Sequence, residues 1–130
     1  MVGSGRLEAV LAGLLLTAAS AALWVQAKGP VSVDSSTTVS VAELPAEGAS
    51  VYRQIPQGGP FKYDKDGSVF GNRERLLPGQ TRGYYREYTV ATPGLSHRGA
   101  RRIVCGGPPR TPDTCFYTAD HYDSFRKIVP

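Results

Sequence analysis

The sequence is short of the residues that hold metal ions. Its 130 positions include two histidines, His97 and His121, and two cysteines, Cys105 and Cys115. These do not combine with the acids into any metal-ligand spacing, so the chemistry is expected to be metal-independent, with no cofactor. Internal repeats and low-complexity blocks are missing from the body of the chain. At 13.9 kDa that leaves one domain at most, plus a tail. A long apolar run occurs only at the amino end, where residues 9–27 (AVLAGLLLTAASAALWVQA) carry no charge over nineteen positions. Its apolar centre, residues 10–16, is short, residues 17–20 are weakly hydrophobic, and Val25-Gln26-Ala27 resembles a small-x-small cleavage site. Residues 1–27 therefore read as a secretory signal peptide. An uncleaved membrane anchor competes, because nineteen residues just span a bilayer. Both readings put the remainder outside the cytoplasm. The first makes the mature protein extracellular, with no stable membrane association after cleavage.

Residues 28–37 are rich in Ser, Thr and Val without helical periodicity and read as a linker, which leaves a domain over residues 38–130. From residue 47 onward there are thirteen Lys and Arg against eight Asp and Glu. A small, basic, exported domain suggests a polyanionic partner such as RNA, DNA, a cell wall or a membrane surface. In an oxidising compartment the even cysteine count favours a Cys105–Cys115 disulfide, and the Gly- and Pro-rich residues between them suit a turn joining two strands. Two free thiols are the alternative. Closing so short a loop contributes about 2–3 kcal/mol if unstrained.

Residues 44–55 (LPAEGASVYRQI) combine an early proline and acid with apolar positions at Ala49, Val51, Tyr52 and Ile55, which predicts a short helix stopped by Pro56 and Gly58-Gly59. Strand signals fall at residues 69–70, 83–91, 101–105, 115–118 and 127–129, with 38–41 as a short first strand. The longest pair is joined by residues 92–97, a hairpin-sized loop. A helix followed by several antiparallel strands is an α+β domain, one N-terminal helix packed on an antiparallel sheet.

Alternation sorts the charges of this sheet by face, and it leaves open whether the paired arginines share the face of Glu87. In residues 84–90, Glu87 shares a face with Tyr85 and Thr89. In the returning strand Arg98 and Arg102 are four apart and point the same way, while Arg101 points to the opposite face. One carboxylate near two guanidiniums is by itself an ordinary cross-strand pairing, and exposed pairs contribute only about 0.2–1 kcal/mol.

Four segments carry more than that: GGPFKYDKDGSVFGNRERLLP (58–78), GYYREYTVATPG (83–94), RGARRIVCGG (98–107) and YTADHYDSFRKI (117–128). In order and spacing they resemble the small secreted guanyl-specific ribonucleases of bacteria, the barnase group and particularly its actinobacterial branch. A weaker match over residues 38–55 extends the resemblance to nearly the whole domain. The resemblance implies that Glu87 is the general base taking the ribose 2′ proton and that His121 is the general acid. It implies that Arg98 and Arg102 bind the phosphate. It places guanine on residues Phe70, Gly71, Asn72, Arg73 and Glu74, with the Glu74 carboxylate accepting from N1–H and the 2-amino group. Gly71 and Asn72 are expected to adopt unusual backbone angles. Phe70 offers either a stacking surface or an ordinary core aromatic. Tyr122 is expected to contact phosphate or the flanking base. His97, at the hairpin tip, is expected to be an exposed loop residue.

The implied activity is a secreted, monomeric endoribonuclease that cuts single-stranded RNA after guanosine through a 2′,3′-cyclic phosphate, with a barstar-like acidic inhibitor as a further partner. A non-catalytic binder of RNA or other polyanions on the same scaffold is the alternative. The chain departs from its relatives in two respects. Actinobacterial relatives often tie the two ends of the domain with a disulfide, whereas here the early position is Ser40 and the chain ends KIVP. The Cys105–Cys115 loop is longer than its counterpart and is expected to affect stability and the mobility of loops near the acid. Gly71 also stands where relatives carry a side chain.

Overall fold

A computed structural model describes residues 37–130; the expected signal peptide or anchor and all of the expected linker but Thr37 lie outside the described residues. The chain enters as β1 (Thr38–Ser40), with Val39 buried. Where relatives are expected to have a cysteine, Ser40 opens a capping box. Its hydroxyl accepts from the Glu43 N–H (3.3 Å) and the Glu43 carboxylate accepts from the Ser40 N–H (2.9 Å). That turn leads into α1 (Ala46–Gln54), which has Glu47 in its first turn and Arg53 in its last, each opposite in sign to the nearer helix pole. A 3-10 turn (Ile55–Gln57) and Gly58, at φ 78°, end it. The left-handed conformation at Gly58 favours glycine because a Cβ is strained there.

Four further strands complete one sheet: β2 (Tyr85–Thr89), β3 (Arg102–Gly106), β4 (Thr114–Thr118) and β5 (Arg126–Val129), in the order β1-β5-β4-β3-β2. The β2–β3, β3–β4 and β4–β5 pairs are antiparallel, but β1 runs parallel to β5. The sheet is therefore mixed, which corrects the all-antiparallel expectation. Parallel pairing needs a long crossover rather than a tight turn, and here nearly the whole domain separates the two strands. This pairing joins the two ends of the domain without a disulfide.

Residues 69–70 do not form the expected strand; Val69 makes a single bridge to Arg86. The segment nevertheless covers the outer edge of β2. Gly67 N–H donates to the Glu87 carbonyl (2.7 Å), Glu87 N–H to Ser68 (2.9 Å), and Phe70 N–H to Tyr85 (2.9 Å). An edge with its amides occupied is a poor template for another chain. Asp66 fastens the cover, accepting from the Thr89 N–H at 2.7 Å and the Tyr63 N–H at 3.1 Å.

Register separates the two sheet faces. Tyr88 opposes Ile103, which opposes Tyr117, and Cys105 opposes Cys115. These side chains, with Val39, Leu44, Ile55, Val90 and Ile128, form the main core against Ala49, Val51 and Tyr52 of α1. Cys105 and Cys115 are disulfide-bonded, with Cα atoms 4.1 Å apart. The loop they close docks on the end of the helix, where the Arg110 guanidinium donates to the carbonyls of Pro56 (3.2 Å) and Gln57 (3.1 Å). It leaves the hairpin at the Gly106–Thr114 end, four residues of strand from Thr118, after which His121 follows. At about 3.3 Å per residue, that length of strand separates the loop from the acid.

Candidate active site

The other sheet face carries Glu87 and Thr89 of β2 opposite Val104 and Arg102 of β3. Glu87 lies in mid-strand, its side chain 15% exposed, and its carboxylate accepts from the Arg98 guanidinium at 2.8 Å. The Nε of Arg98 donates to the Thr89 hydroxyl at 3.0 Å. One guanidinium thus grips two residues that share a face because they are two apart. Arg98 itself is not in a strand, which corrects its expected alternation with Arg102. β3 begins at Arg102, and residues 98–101 belong to the connection, whose left-handed turn at Gly99 (φ 67°) returns the chain toward β2. The neighbour is the expected one, but a loop supplies it.

Arg102 is 2% exposed. Its Nη1 donates to the carbonyls of Arg101 (2.8 Å), Gly99 (3.0 Å) and Arg98 (3.4 Å), which fixes the connection around it. Its Nε is buried without a partner. A buried charged donor left open is costly, and an anion placed against it would satisfy it. Arg101 behaves as expected, lying on the helix side near Tyr117.

Tyr122 joins the group. Its hydroxyl interacts with both Glu87 and Arg102. Burial pushes its pKa up to about 12, the Glu87 charge adds to the rise, and Arg102 opposes it. The phenol therefore remains a neutral O–H donor at any working pH.

His121 and Tyr122 follow β4 in consecutive left-handed conformations, φ 56° and 75°. Non-glycine residues occupy this region at a cost of about 1–3 kcal/mol and stay there when surrounding contacts over-determine it. Those contacts come from Thr118, Asp120 and Ser124. The buried Thr118 hydroxyl donates to the Asp120 carboxylate (2.8 Å) and accepts from the Tyr122 N–H (3.1 Å). Asp120 also accepts from the Ser124 N–H (2.9 Å) and hydroxyl (2.6 Å), and the Ser124 bond is the main cause holding its carboxyl below the usual range. The His121 N–H donates to the Ala100 carbonyl at 3.0 Å, linking this loop to the one that carries Arg98. Sequence reasoning missed this three-residue scaffold. The available signal was an Asp with Ser or Thr at i−2 and i+4, the spacing of side-chain-capped turns.

The imidazole of His121 is exposed, 4.9 Å from the Tyr122 ring, and lines a cleft of about 630 Å³ together with Glu87. All five residues of the expected base loop, 70–74, line the same cleft. Phe70 serves both expected purposes, since it lines the cleft and packs in an aromatic cluster with Tyr122 (4.9 Å) and Phe125 (6.0 Å). Asn72 is left-handed (φ 51°) as expected, and Gly71 is not, which corrects that half of the expectation. The Asn72 amide instead staples the loop, donating to the Leu77 carbonyl (3.0 Å) and accepting from the Leu77 N–H (3.2 Å). Arg75, at φ 57°, supplies the second left-handed residue. Glu74 is exposed on the cleft wall with no ion pair among the described residues. His97 is exposed as expected, its Nδ1 accepting from the Gly99 N–H at 3.0 Å. Val69, read in the sequence only as strand, and Leu76, not read there at all, are both exposed at the cleft. No group of three His, Cys, Asp or Glu among the described residues is arranged to hold a metal ion.

A carboxylate and an imidazole therefore share one cleft, and the buried Arg102 guanidinium reaches its wall through Tyr122. Residues 26–129 match the family model described as ribonuclease, and the chain belongs to that family. It is 51% identical over 91 residues to guanyl-specific ribonuclease St of Saccharopolyspora erythraea, covering 70% of this chain and 86% of that one. It is 47% identical over 95 residues to guanyl-specific ribonuclease Sa of Kitasatospora aureofaciens, covering 73% and 96%. The fold is similar to the crystal structure of ribonuclease Sa2 with guanosine-2′-cyclophosphate (TM-score 0.65, 40% identity, 72% and 96% covered). A second Sa2 structure, of complexes with mononucleotides, gives a TM-score of 0.67 at 38% identity over 78% and 98%.

Proposed function

We propose that this protein is an exported, monomeric endoribonuclease that cleaves single-stranded RNA on the 3′ side of guanosine. The observation that carries the reading is the placement of Glu87 and His121 on one cleft, with Arg98 bonded to Glu87 and the buried Arg102 in contact with the cleft residue Tyr122. The guanyl-specific names of its relatives supply the base.

In the first step Glu87 takes the 2′-OH proton while the 2′ oxygen bonds to phosphorus. The bond from phosphorus to the 5′ oxygen of the next nucleotide breaks, and His121 gives that oxygen its proton. The products are a 2′,3′-cyclic phosphate and a free 5′-OH. In the second step His121, now neutral, takes a proton from water, whose oxygen attacks phosphorus. The P–O2′ bond breaks, and Glu87 returns its proton to O2′ to leave a 3′-phosphate. Arg98 holds the Glu87 carboxylate in place for the first transfer through their 2.8 Å contact. Arg102 and the neutral Tyr122 hydroxyl are donors to the phosphoryl oxygens, whose charge grows as phosphorus becomes five-coordinate.

Guanine selectivity rests on Glu74. An exposed carboxylate with no cation partner has both oxygens free for the N1–H and 2-amino donors of guanine, and adenine lacks that pair. The loop that presents Glu74 is pre-shaped by the Asn72–Leu77 staple, which lowers the ordering cost of binding. The leader reading makes the enzyme extracellular, and its basic surface suits an acidic, barstar-like protein inhibitor.

The test is a dinucleotide panel (GpC, ApC, CpC and UpC) in EDTA with product analysis. GpC is expected to be preferred and to give guanosine 2′,3′-cyclic phosphate before 3′-GMP. Glu74→Ala should lower the GpC-to-ApC ratio by about 100-fold, the equivalent of two charge-assisted hydrogen bonds. RNA binding without turnover of any dinucleotide would favour the binding-module reading instead.

A further inference from the structure

Positive charge also gathers on the rim of the base loop, away from Glu87. A Cβ built on Gly71 would lie 3.9 Å from Arg73 Nε and 4.0 Å from Arg82 Nη1, so two guanidiniums face one point and stand no more than about 8 Å apart. Both residues are exposed, and the one ion pair among the described residues is Arg98–Glu87. Arg86 is committed elsewhere, donating to the Gly67 carbonyl at 2.8 Å. Two uncompensated cations at this distance repel one another. A phosphodiester set between them would accept from both at the usual 2.7–2.9 Å or so of a charge-assisted bond.

We propose that Arg73 and Arg82 form a second phosphate site, which takes the RNA backbone phosphate on the 5′ side of the bound guanosine. The proposal rests on the guanosine-site reading above. The scissile phosphate leaves guanosine on its 3′ side toward Glu87 and His121, and the arginine pair stands on the base-loop wall. The His121 wall carries the carboxylate of Asp123, which lines the cleft and repels a further phosphate there. The site makes RNA that continues upstream of guanosine a better substrate than a dinucleotide that begins there.

The experiment compares kcat/KM for GpC, pGpC and GpCp at several salt concentrations, in the wild type and in Arg82→Ala. The 5′ phosphate of pGpC is expected to raise kcat/KM about fivefold at low salt, through KM rather than kcat. Arg82→Ala should remove most of that gain and flatten the salt dependence for pGpC by about 0.7 in log–log slope. The proposal is overturned if wild type turns over GpC but gains nothing from pGpC. It also fails if the gain survives Arg82→Ala, or if GpCp shows the Arg82-dependent gain instead. No turnover of GpC would sink the guanosine site itself and this site with it.

Discussion

The two faces of the β2–β3–β4 sheet are built from alternate residues of the same strands and hold different chemistry. Toward α1 stand Tyr88, Ile103, Cys105, Cys115 and Tyr117, an apolar set closed by a disulfide. Away from it a smaller apolar cluster around Tyr85 and Val104 stands beside Glu87, Thr89, Arg102 and Thr118, polar or charged groups held by hydrogen bonds to loops. A period of two lets one strand serve both purposes, so each face can be changed without moving the other. The first face makes the strands rigid. The second uses that rigidity to hold Glu87 at the cleft and to bring Tyr122, which lines the same cleft, against both Glu87 and Arg102.

The comparison breaks most sharply at the reacting groups. Glu87→Ala and His121→Ala should each lower kcat/KM on GpC by about 10²–10⁴-fold with little change in thermal unfolding, because both side chains lie off the main core. Ile103→Ala should do the reverse. Removing a fully buried side chain from the helix face should cost about 2–5 kcal/mol in denaturant unfolding, while turnover per folded molecule stays near wild type. Replacing Cys105 and Cys115 together by alanine should cost about 2–3 kcal/mol. Its effect on GpC turnover should be small, because the closed loop lies at the other end of β4 from His121. A large loss of turnover in the folded double variant would mean that the two ends are coupled.

The smallest effect sharpens the polar face. Asp120 has its folded pKa held below the unfolded value near 4 by the Ser124 bond, so its contribution to stability is present above that pH. The contribution disappears as pH falls through the folded pKa. The difference in melting temperature between wild type and Asp120→Asn should therefore be constant above about pH 5 and shrink as pH falls below about 4. A difference that stays level to pH 2 would remove the carboxylate from this role.

Strand alternation in the sequence placed Glu87 and Thr89 on one face, and the helix and all five strands followed from periodicity and breakers. Two features escaped local reading. Arg98 was expected in a strand, and the turn at Gly99 puts it in a loop that still reaches Glu87; a tertiary return of the chain leaves no period to count. The parallel β1–β5 pair joins segments almost ninety residues apart, and nothing local in either three- or four-residue strand states the direction of its partner. The site roles came from the order and spacing of motifs, not from composition. That route found His121 but not the Thr118–Asp120–Ser124 scaffold beneath it, since those contacts exist only once the loop is folded.

The assignment of base and acid is tested most directly by the pH dependence of kcat/KM for GpC in wild type, Glu87→Gln and His121→Ala. Wild type should give a bell, its acidic limb set by the carboxylate that must be ionised and its alkaline limb by the imidazolium that must be protonated. Glu87→Gln should lose the acidic limb and His121→Ala the alkaline one, each at much reduced rate. Limbs that persist unchanged in the two variants would contradict the account.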